Sequence, residues 1–210
     1  MSQVAGIKKT DVFAVVNAAL FLIILTTDYM GRFRRYIGRG NVHEFAIYAI
    51  FILGAIVALW LYLRKMEFPA WKLLLMEAGI LAHFAGGLVS IHGVRLYDTV
   101  ILGVPFDKYV HFLNALAGSV LLDHVIDLPG RGPHKLLARA VVILLVVLGV
   151  GAVVEIVEYL VTLVVPNSGV GGYDNNMQDL IANLVGGGAF MLCRAVVPRV
   201  RAPLASARVA

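Results

Sequence analysis

Long apolar runs dominate this chain of 210 residues and leave it few ways to fold. Hydrophobic residues make up 60% of the sequence and the mean hydropathy is +0.86, both well above the values of an ordinary soluble domain. In the hydrocarbon core of a bilayer every backbone polar group needs a partner, and a helix supplies one within the segment itself. Runs of about 20 apolar residues are long enough to cross that core. The sequence therefore predicts an all-α integral membrane protein.

Six such runs follow one another along the chain, so the predicted architecture is a polytopic bundle of about six transmembrane helices. Short polar loops separate the runs and leave no room for a separate soluble domain, which predicts a single membrane domain over residues 1–210. The predicted helices cover residues 11–29, 42–64, 71–92, 107–127, 137–164 and 177–198.

Lysine and arginine lie mostly at the ends of the predicted helices, where they act as topology signals rather than as a nucleic-acid surface. Twelve of the 18 fall on the side that carries both termini, and six fall on the opposite side. The positive-inside rule then predicts a multi-pass protein of the inner (cytoplasmic) membrane with both termini in the cytoplasm. We expect membrane lipids as partners and no nucleic acid, and the sequence leaves the oligomeric state open.

Acidic side chains interrupt two of the most apolar runs. Glu155 and Glu158 lie three residues apart near the end of the fifth predicted helix, hence on one face. Asp179 lies near the start of the sixth, four residues before Asn183. A charge at the bilayer centre costs roughly 2.5 to 3.5 kcal/mol on insertion scales. These acids are therefore expected to face a protein interior, an aqueous pocket or an ion.

The alternating direction of six helices brings most of the other acids and histidines to the same membrane face. Asp107 and His111 lie one turn apart at the start of the fourth helix, and Asp174 precedes the sixth. Under the predicted orientation this face is the outer leaflet. The remaining residues of the set are Asp28, His43, Glu44, His83 and His92.

Three short motifs in the C-terminal half occur in the order and spacing of a known family. They are FDKYVHF at 106–112, EIVEY at 155–159 and GGYDNNMQDLIANLVGGG at 171–188. This arrangement resembles the YjdF-like predicted membrane proteins and, more loosely, the VanZ-like family. The resemblance implies a membrane architecture and a shared polar site, and it implies no settled activity. The matched positions are Asp107, Lys108, His111, Glu155, Glu158, Asp174, Asp179 and Asn183.

Several of these residues also have a purely structural interpretation. Asp107 and Lys108 could simply start the fourth helix at the membrane interface, because an acid is favourable near a helix N-terminus. Asp174 or Asn175 could cap the sixth helix, with Gln178 reaching back as in a capping box.

The glutamate pair is the hardest feature to explain structurally. Two adjacent buried acids repel each other unless one of them is protonated or a cation lies between them. The structural alternative for Glu155 and Glu158 is a buried ion pair with Lys108 or Arg95.

These observations support the hypothesis of a metal-dependent or acid/base membrane enzyme that acts at the level of the lipid headgroups. The alternatives are a non-catalytic accessory or structural membrane protein and, with less support, a cation or proton conduit. The single cysteine, Cys193, excludes a thiolate metal motif. The expected cofactor is a divalent Mg, Mn or Zn ion. The candidate catalytic residues are Glu155, Glu158, His111 and Asp179, and the candidate metal ligands are the same four with Asp107 and Asp174.

Overall fold

The structure, a computed structural model, is mostly helical, which confirms the predicted fold class at that level. It describes residues 6–24, 26, 42–126, 133–164 and 171–196. Within these ranges the chain forms six helices close to the predicted positions. They are α1 (Lys9–Ile24), α2 (Val42–Leu63), α3 (Ala70–Leu88), α4 (Phe106–Val125), α5 (Pro133–Val164) and α6 (Tyr173–Val196).

One helix within the described part of the chain is long and apolar enough to cross a membrane. It is Leu137–Leu160 of α5, a segment of 24 residues that contains an 18-residue window with a mean hydropathy of 3.0. At 1.5 Å per residue this segment is about 36 Å long, enough to cross roughly 30 Å of hydrocarbon. The span supports a membrane location, whereas the six-span topology and the cytoplasmic termini stay predictions.

The chain divides into two compact units, residues 1–89 and 90–210. A single domain over the whole chain therefore stays a prediction. In the first unit, α1 and α3 are joined by a hydrogen bond of 2.9 Å from Asn17 Nδ2 to Glu77 Oε2. At the start of α1, Asp11 accepts a hydrogen bond from Trp60 Nε1 at 2.7 Å.

The second unit is built on a three-helix bundle of α4, α5 and α6. Side chains near the start of α4 contact the end of α5 and the start of α6, so α4 and α6 run parallel and α5 runs antiparallel to both. Small residues let the helices approach closely. A Cβ atom at Gly186 would overlap the Phe112 carbonyl of α4, and one at Gly151 would lie 2.5 Å from Asn183 Nδ2. The register of α6 is therefore fixed against both neighbours.

Two short β-hairpins precede α4 in the second unit, where helix and loop were predicted. Strands β1 (Ser90–Ile91) and β2 (Val94–Arg95) pair antiparallel. A 3₁₀ turn (Leu96–Asp98) leads to β3 (Val100–Ile101) and β4 (Val104–Pro105), which also pair antiparallel. The third helix was predicted to extend to residue 92 but ends at Leu88, because the chain turns back on itself in the first hairpin.

Candidate cation site

A polar cluster occupies the end of the bundle where α4 and α6 begin and α5 finishes. Three helices contribute to it because their chain directions alternate, which brings residues far apart in sequence to one level. We call it the acidic cluster. Its members are Asp107, Lys108 and His111 from α4, Glu155 from α5, and Asn175 and Asp179 from α6.

Lys108 is the hydrogen-bonding centre of the acidic cluster. Its side chain is only 7% exposed, and Nζ donates to Asp179 Oδ1 at 2.6 Å, to Asn175 Oδ1 at 2.7 Å and to Asp107 Oδ2 at 3.1 Å. Asn175 Nδ2 in turn donates to Asp179 Oδ2 at 2.7 Å. The ammonium group thus offsets part of the negative charge and fixes the orientation of both aspartates.

His111 lies among three carboxylates. Its Nε2 atom is 3.5 Å from Asp107 Oδ1 and 3.5 Å from Asp179 Oδ1, and its Nδ1 atom is 3.9 Å from Glu155 Oε1. One possible ligand atom from each of Asp107, His111 and Asp179 lies within 4.8 Å of the other two. Ligands bound to one ion at about 2.0 to 2.4 Å lie roughly 3 to 5 Å apart, so these three residues have the spacing of a metal site.

Glu155 is the unsatisfied member of the acidic cluster. The residue is 5% exposed, and within the described part of the chain neither carboxylate oxygen has a hydrogen-bond partner. Asn183, one turn beyond Asp179 on α6, is also buried and its Nδ2 atom lacks a partner there. Burying an ionised carboxylate without a partner is strongly unfavourable, so Glu155 requires a proton or a cation.

The other two predicted ligands, Glu158 and Asp174, are not among the members of the acidic cluster. Glu158 is partly buried and within electrostatic range of His111 and Asp107, at the edge of the cluster. Asp174 is exposed in the first turn of α6. Five residues separate it from Asp179, which turns the two side chains about 140° apart around the helix. The structure therefore does not bring Asp174 into the cluster.

Two structural interpretations from the sequence are corrected by these contacts. The glutamate pair does not take Lys108 as its counter-ion, because that lysine pairs with Asp107 and Asp179. Arg95, the other candidate counter-ion, pairs with Asp98 at 2.8 Å.

The predicted cap at Asp174 or Asn175 is also wrong, because α6 already begins at Tyr173 and the Asn175 side chain bonds Lys108 and Asp179 instead. Asn175 is therefore a member of the site that was not predicted from the sequence. Its position four residues before Asp179, hence on the same helix face, was the available signal.

The remaining acids and histidines of the predicted face either lie elsewhere in the described part of the chain or are not described. Asp28 lies outside the described residues, and the side chains of His43 and Glu44 are not described. His83 is exposed in α3 of the first unit, and His92 is exposed in the turn between β1 and β2.

A second polar cluster lies at the opposite end of the same bundle. The Asp123 carboxylate pairs with Arg139 Nε at 2.8 Å and with Arg194 Nη1 at 2.6 Å. Arg139 Nη2 also donates to the backbone carbonyl of Asp123. We call this the arginine cluster. It joins α4, α5 and α6 by charge pairing.

A family model described as a predicted membrane protein, DUF2238, matches residues 12–199. This match agrees with the resemblance to the YjdF-like predicted membrane proteins, while the looser likeness to the VanZ-like family gains no support. No curated protein and no solved structure matches the chain.

Proposed function

This chain belongs to the DUF2238 family of predicted membrane proteins. We propose that it is an enzyme that acts at the level of the lipid headgroups, and that its acidic cluster binds the divalent cation that the reaction needs. The observation that carries the proposal is the combination of two features. Three possible ligand atoms from Asp107, His111 and Asp179 lie within 4.8 Å of one another. Beside them, Glu155 is a buried carboxylate with both oxygens unpaired.

The charge balance favours a divalent ion. With a neutral imidazole and ionised carboxylates, the region carries a net charge of −3, because a single lysine faces four acids. A divalent ion would offset most of that charge, and oxygen ligands with one imidazole suit Mg, Mn or Zn. The four acids are Asp107, Glu155, Glu158 and Asp179.

Lys108 and Asn175 would support the ion without binding it. Each carboxylate oxygen can accept more than one contact, so Asp179 Oδ1 can bond Lys108 and still face His111. Hydrogen bonds from neighbouring groups commonly hold metal-binding carboxylates in place. Both oxygens of Asp179 are held in this way, by Lys108 and by Asn175.

The position of the site along the bundle supports action near the lipid headgroups. Glu155 lies five residues before the end of the α5 span at Leu160, which is about 7.5 Å along the helix. Asp107 and His111 keep 21% and 18% of their side-chain surfaces exposed, so a small polar group can reach them. In the proposed inner-membrane topology with both termini in the cytoplasm, this end faces outward.

The chemistry that this arrangement supports is polar group transfer or hydrolysis. A bound divalent ion would polarise an oxygen of the substrate and make a bound water more acidic. Glu155, whose Oε1 atom lies 3.9 Å from His111 Nδ1, is the side chain placed to accept a proton from that water. Lys108 holds Asp107 and Asp179 in place while this proton moves.

Elemental analysis of the purified protein tests the proposal. We expect close to one divalent metal per chain in the wild type, and a large loss in Asp179→Asn and His111→Ala. The matched control is Asp174→Asn, which removes an exposed acid from the same helix and should retain the metal. Equal metal content in Asp179→Asn and Asp174→Asn, with both proteins folded, would contradict the proposal.

The hydrogen bonds of Lys108 favour a second candidate, an accessory protein whose polar core only fixes helix packing. In that case Asp179→Asn should lower the melting temperature strongly and no metal should bind at any concentration.

A cation or proton conduit has weaker support. Between the acidic and the arginine clusters, the described residues of α4, α5 and α6 contain no carboxylate, imidazole, guanidinium or amine.

A further inference from the structure

The two hairpins before α4 are near copies of each other. The first turns through IHGV at 91–94 and the second through ILGV at 101–104. In each turn a glycine at φ 83° or 82° follows a non-glycine residue at positive φ, His92 at 52° and Leu102 at 50°. This geometry gives a two-residue hairpin, for which asparagine, aspartate or glycine is the usual first residue.

Leucine is an unusual choice at the tip of such a turn. Positive φ is unfavourable for a residue with a side chain, and leucine gains no local hydrogen bond in return. Leu102 is nevertheless 94% exposed, and Val100 beside it is 62% exposed. A strained, exposed apolar residue indicates a role for the side chain outside the hairpin itself.

The hairpins are held at the acidic end of the bundle. Tyr109 Oη donates to the Ile101 carbonyl at 2.8 Å, and the Phe106 amide donates to the Thr99 carbonyl at 2.9 Å. These bonds tie the second hairpin to the first turns of α4. Because His111 of α4 lies level with Glu155, the hairpins lie near the level at which the α5 span ends.

Three exposed tyrosines lie near the level at which the α5 span ends. Tyr109 lies in the first turn of α4, Tyr159 is one residue before the end of the α5 span and Tyr173 begins α6, and all three are exposed. Tyrosine is enriched where a membrane protein passes from hydrocarbon to headgroups, since the ring is apolar and the hydroxyl is polar. The hairpin tips therefore lie beside a belt of residues typical of the membrane interface.

We propose that the paired hairpins, residues 90–105, insert exposed apolar side chains into the interfacial layer of the bilayer: Leu102 at the tip of the second hairpin, and Ile91 and Val94 on either side of the turn of the first. The surface that they fit is a lipid surface, and the strained turn at Leu102 is retained because it directs a large apolar side chain into that layer. The short paired strands and the headgroup region both supply partners for backbone polar groups, which the hydrocarbon core would not. The proposal rests on α5 crossing a membrane and is independent of any ligand at the acidic cluster.

Spin-label accessibility in proteoliposomes tests this placement. In a Cys193→Ala background, a label at Leu102→Cys should collide readily with oxygen, which partitions into lipid, and poorly with a water-soluble nickel chelate. A label at Asp174→Cys, an exposed polar position in the first turn of α6, is the matched control and should collide readily with the nickel chelate. Equal nickel accessibility at the two positions would overturn the proposal, because the tip would then lie in water. Protection of residue 102 from both reagents would also overturn it, because protein would then cover the tip.

A second variant separates membrane insertion from a purely structural role. Leu102→Asn suits the turn conformation better but removes the apolar tip. With a label at Val94→Cys in the neighbouring hairpin, we expect this change to raise nickel accessibility without loss of folded protein. An unchanged accessibility at residue 94 would show that the Leu102 side chain does not hold the hairpins in the lipid, contrary to the proposal.

Discussion

The two ends of the α4–α5–α6 bundle both bury acidic side chains, but they differ in how these acids are paired. At the arginine cluster, Asp123 is paired with two guanidinium groups. At the acidic cluster the acids outnumber the single cation, Lys108, and both oxygens of Glu155 are unpaired. A buried polar group that is fully paired serves the fold, whereas a buried carboxylate that is left unpaired requires a proton or a cation.

The two clusters are far enough apart to be studied independently. His111 and Asp123 are separated by twelve residues of α4, which is about 18 Å along the helix. Close packing at Gly186 and Gly151 fills part of the space between them. Changes at the two ends should therefore add, because sites more than about 10 Å apart usually affect stability independently.

The largest effect is expected at the arginine cluster. Asp123→Ala leaves Arg139 and Arg194 without their shared acid and should cost roughly 3 to 5 kcal/mol of stability, seen as a large fall in melting temperature or in yield. The control is Asp98→Ala, which removes an acid from an exposed aspartate–arginine pair and should cost about 1 kcal/mol or less. If both variants melt alike, the arginine cluster does not hold the bundle together.

A smaller loss of stability is expected from changing the packing between the clusters. Gly186→Ala would push a methyl group against the Phe112 carbonyl and should cost roughly 1 to 3 kcal/mol. Gly188→Ala, two residues along the same helix, meets open space and should be neutral or up to about 1 kcal/mol stabilising. Thermal melts of the pair compare them directly. A lower melting temperature for Gly188→Ala than for Gly186→Ala would contradict the described approach of α4 and α6.

At the acidic cluster we expect a substitution that lowers cation affinity without lowering the stability of the fold. Glu155→Gln removes a buried charge that has no partner, so its melting temperature should stay the same or rise while cation affinity falls at least tenfold, or about 1.4 kcal/mol. Paired titrations of wild type and variant with Mn²⁺, read by calorimetry and by melting temperature, measure both quantities. A loss of stability as large as that of Asp123→Ala would assign Glu155 to the fold instead.

The smallest effect is expected for Glu158→Gln. Glu158 is only partly buried and lies at the edge of the cluster, so its charge is better screened than that of Glu155. Cation affinity should fall by less than in Glu155→Gln, and the folded protein should remain abundant. A larger fall in affinity than for Glu155→Gln would place the ion nearer Glu158 than the geometry indicates.

Much of the helical framework could be predicted because the apolar runs are long, and chain direction alone placed Asp107, His111 and Asp179 at one end. The partner of Lys108 could not be predicted, since it depends on the helix register that Gly186 fixes. The hairpins were not predicted because their turns lie in a largely apolar stretch, which was assigned to the end of the third helix and to the loop that follows it. Asn175 was missed because an asparagine near a helix start usually serves as a cap.

The most direct test of the contrast between the two clusters is anomalous X-ray diffraction from crystals grown with Mn²⁺. We predict one manganese peak about 2.0 to 2.4 Å from ligand atoms of Asp107, His111 and Asp179, with Glu155 beside it, and no peak near Asp123. A map at saturating Mn²⁺ with no peak at the acidic cluster would contradict the account.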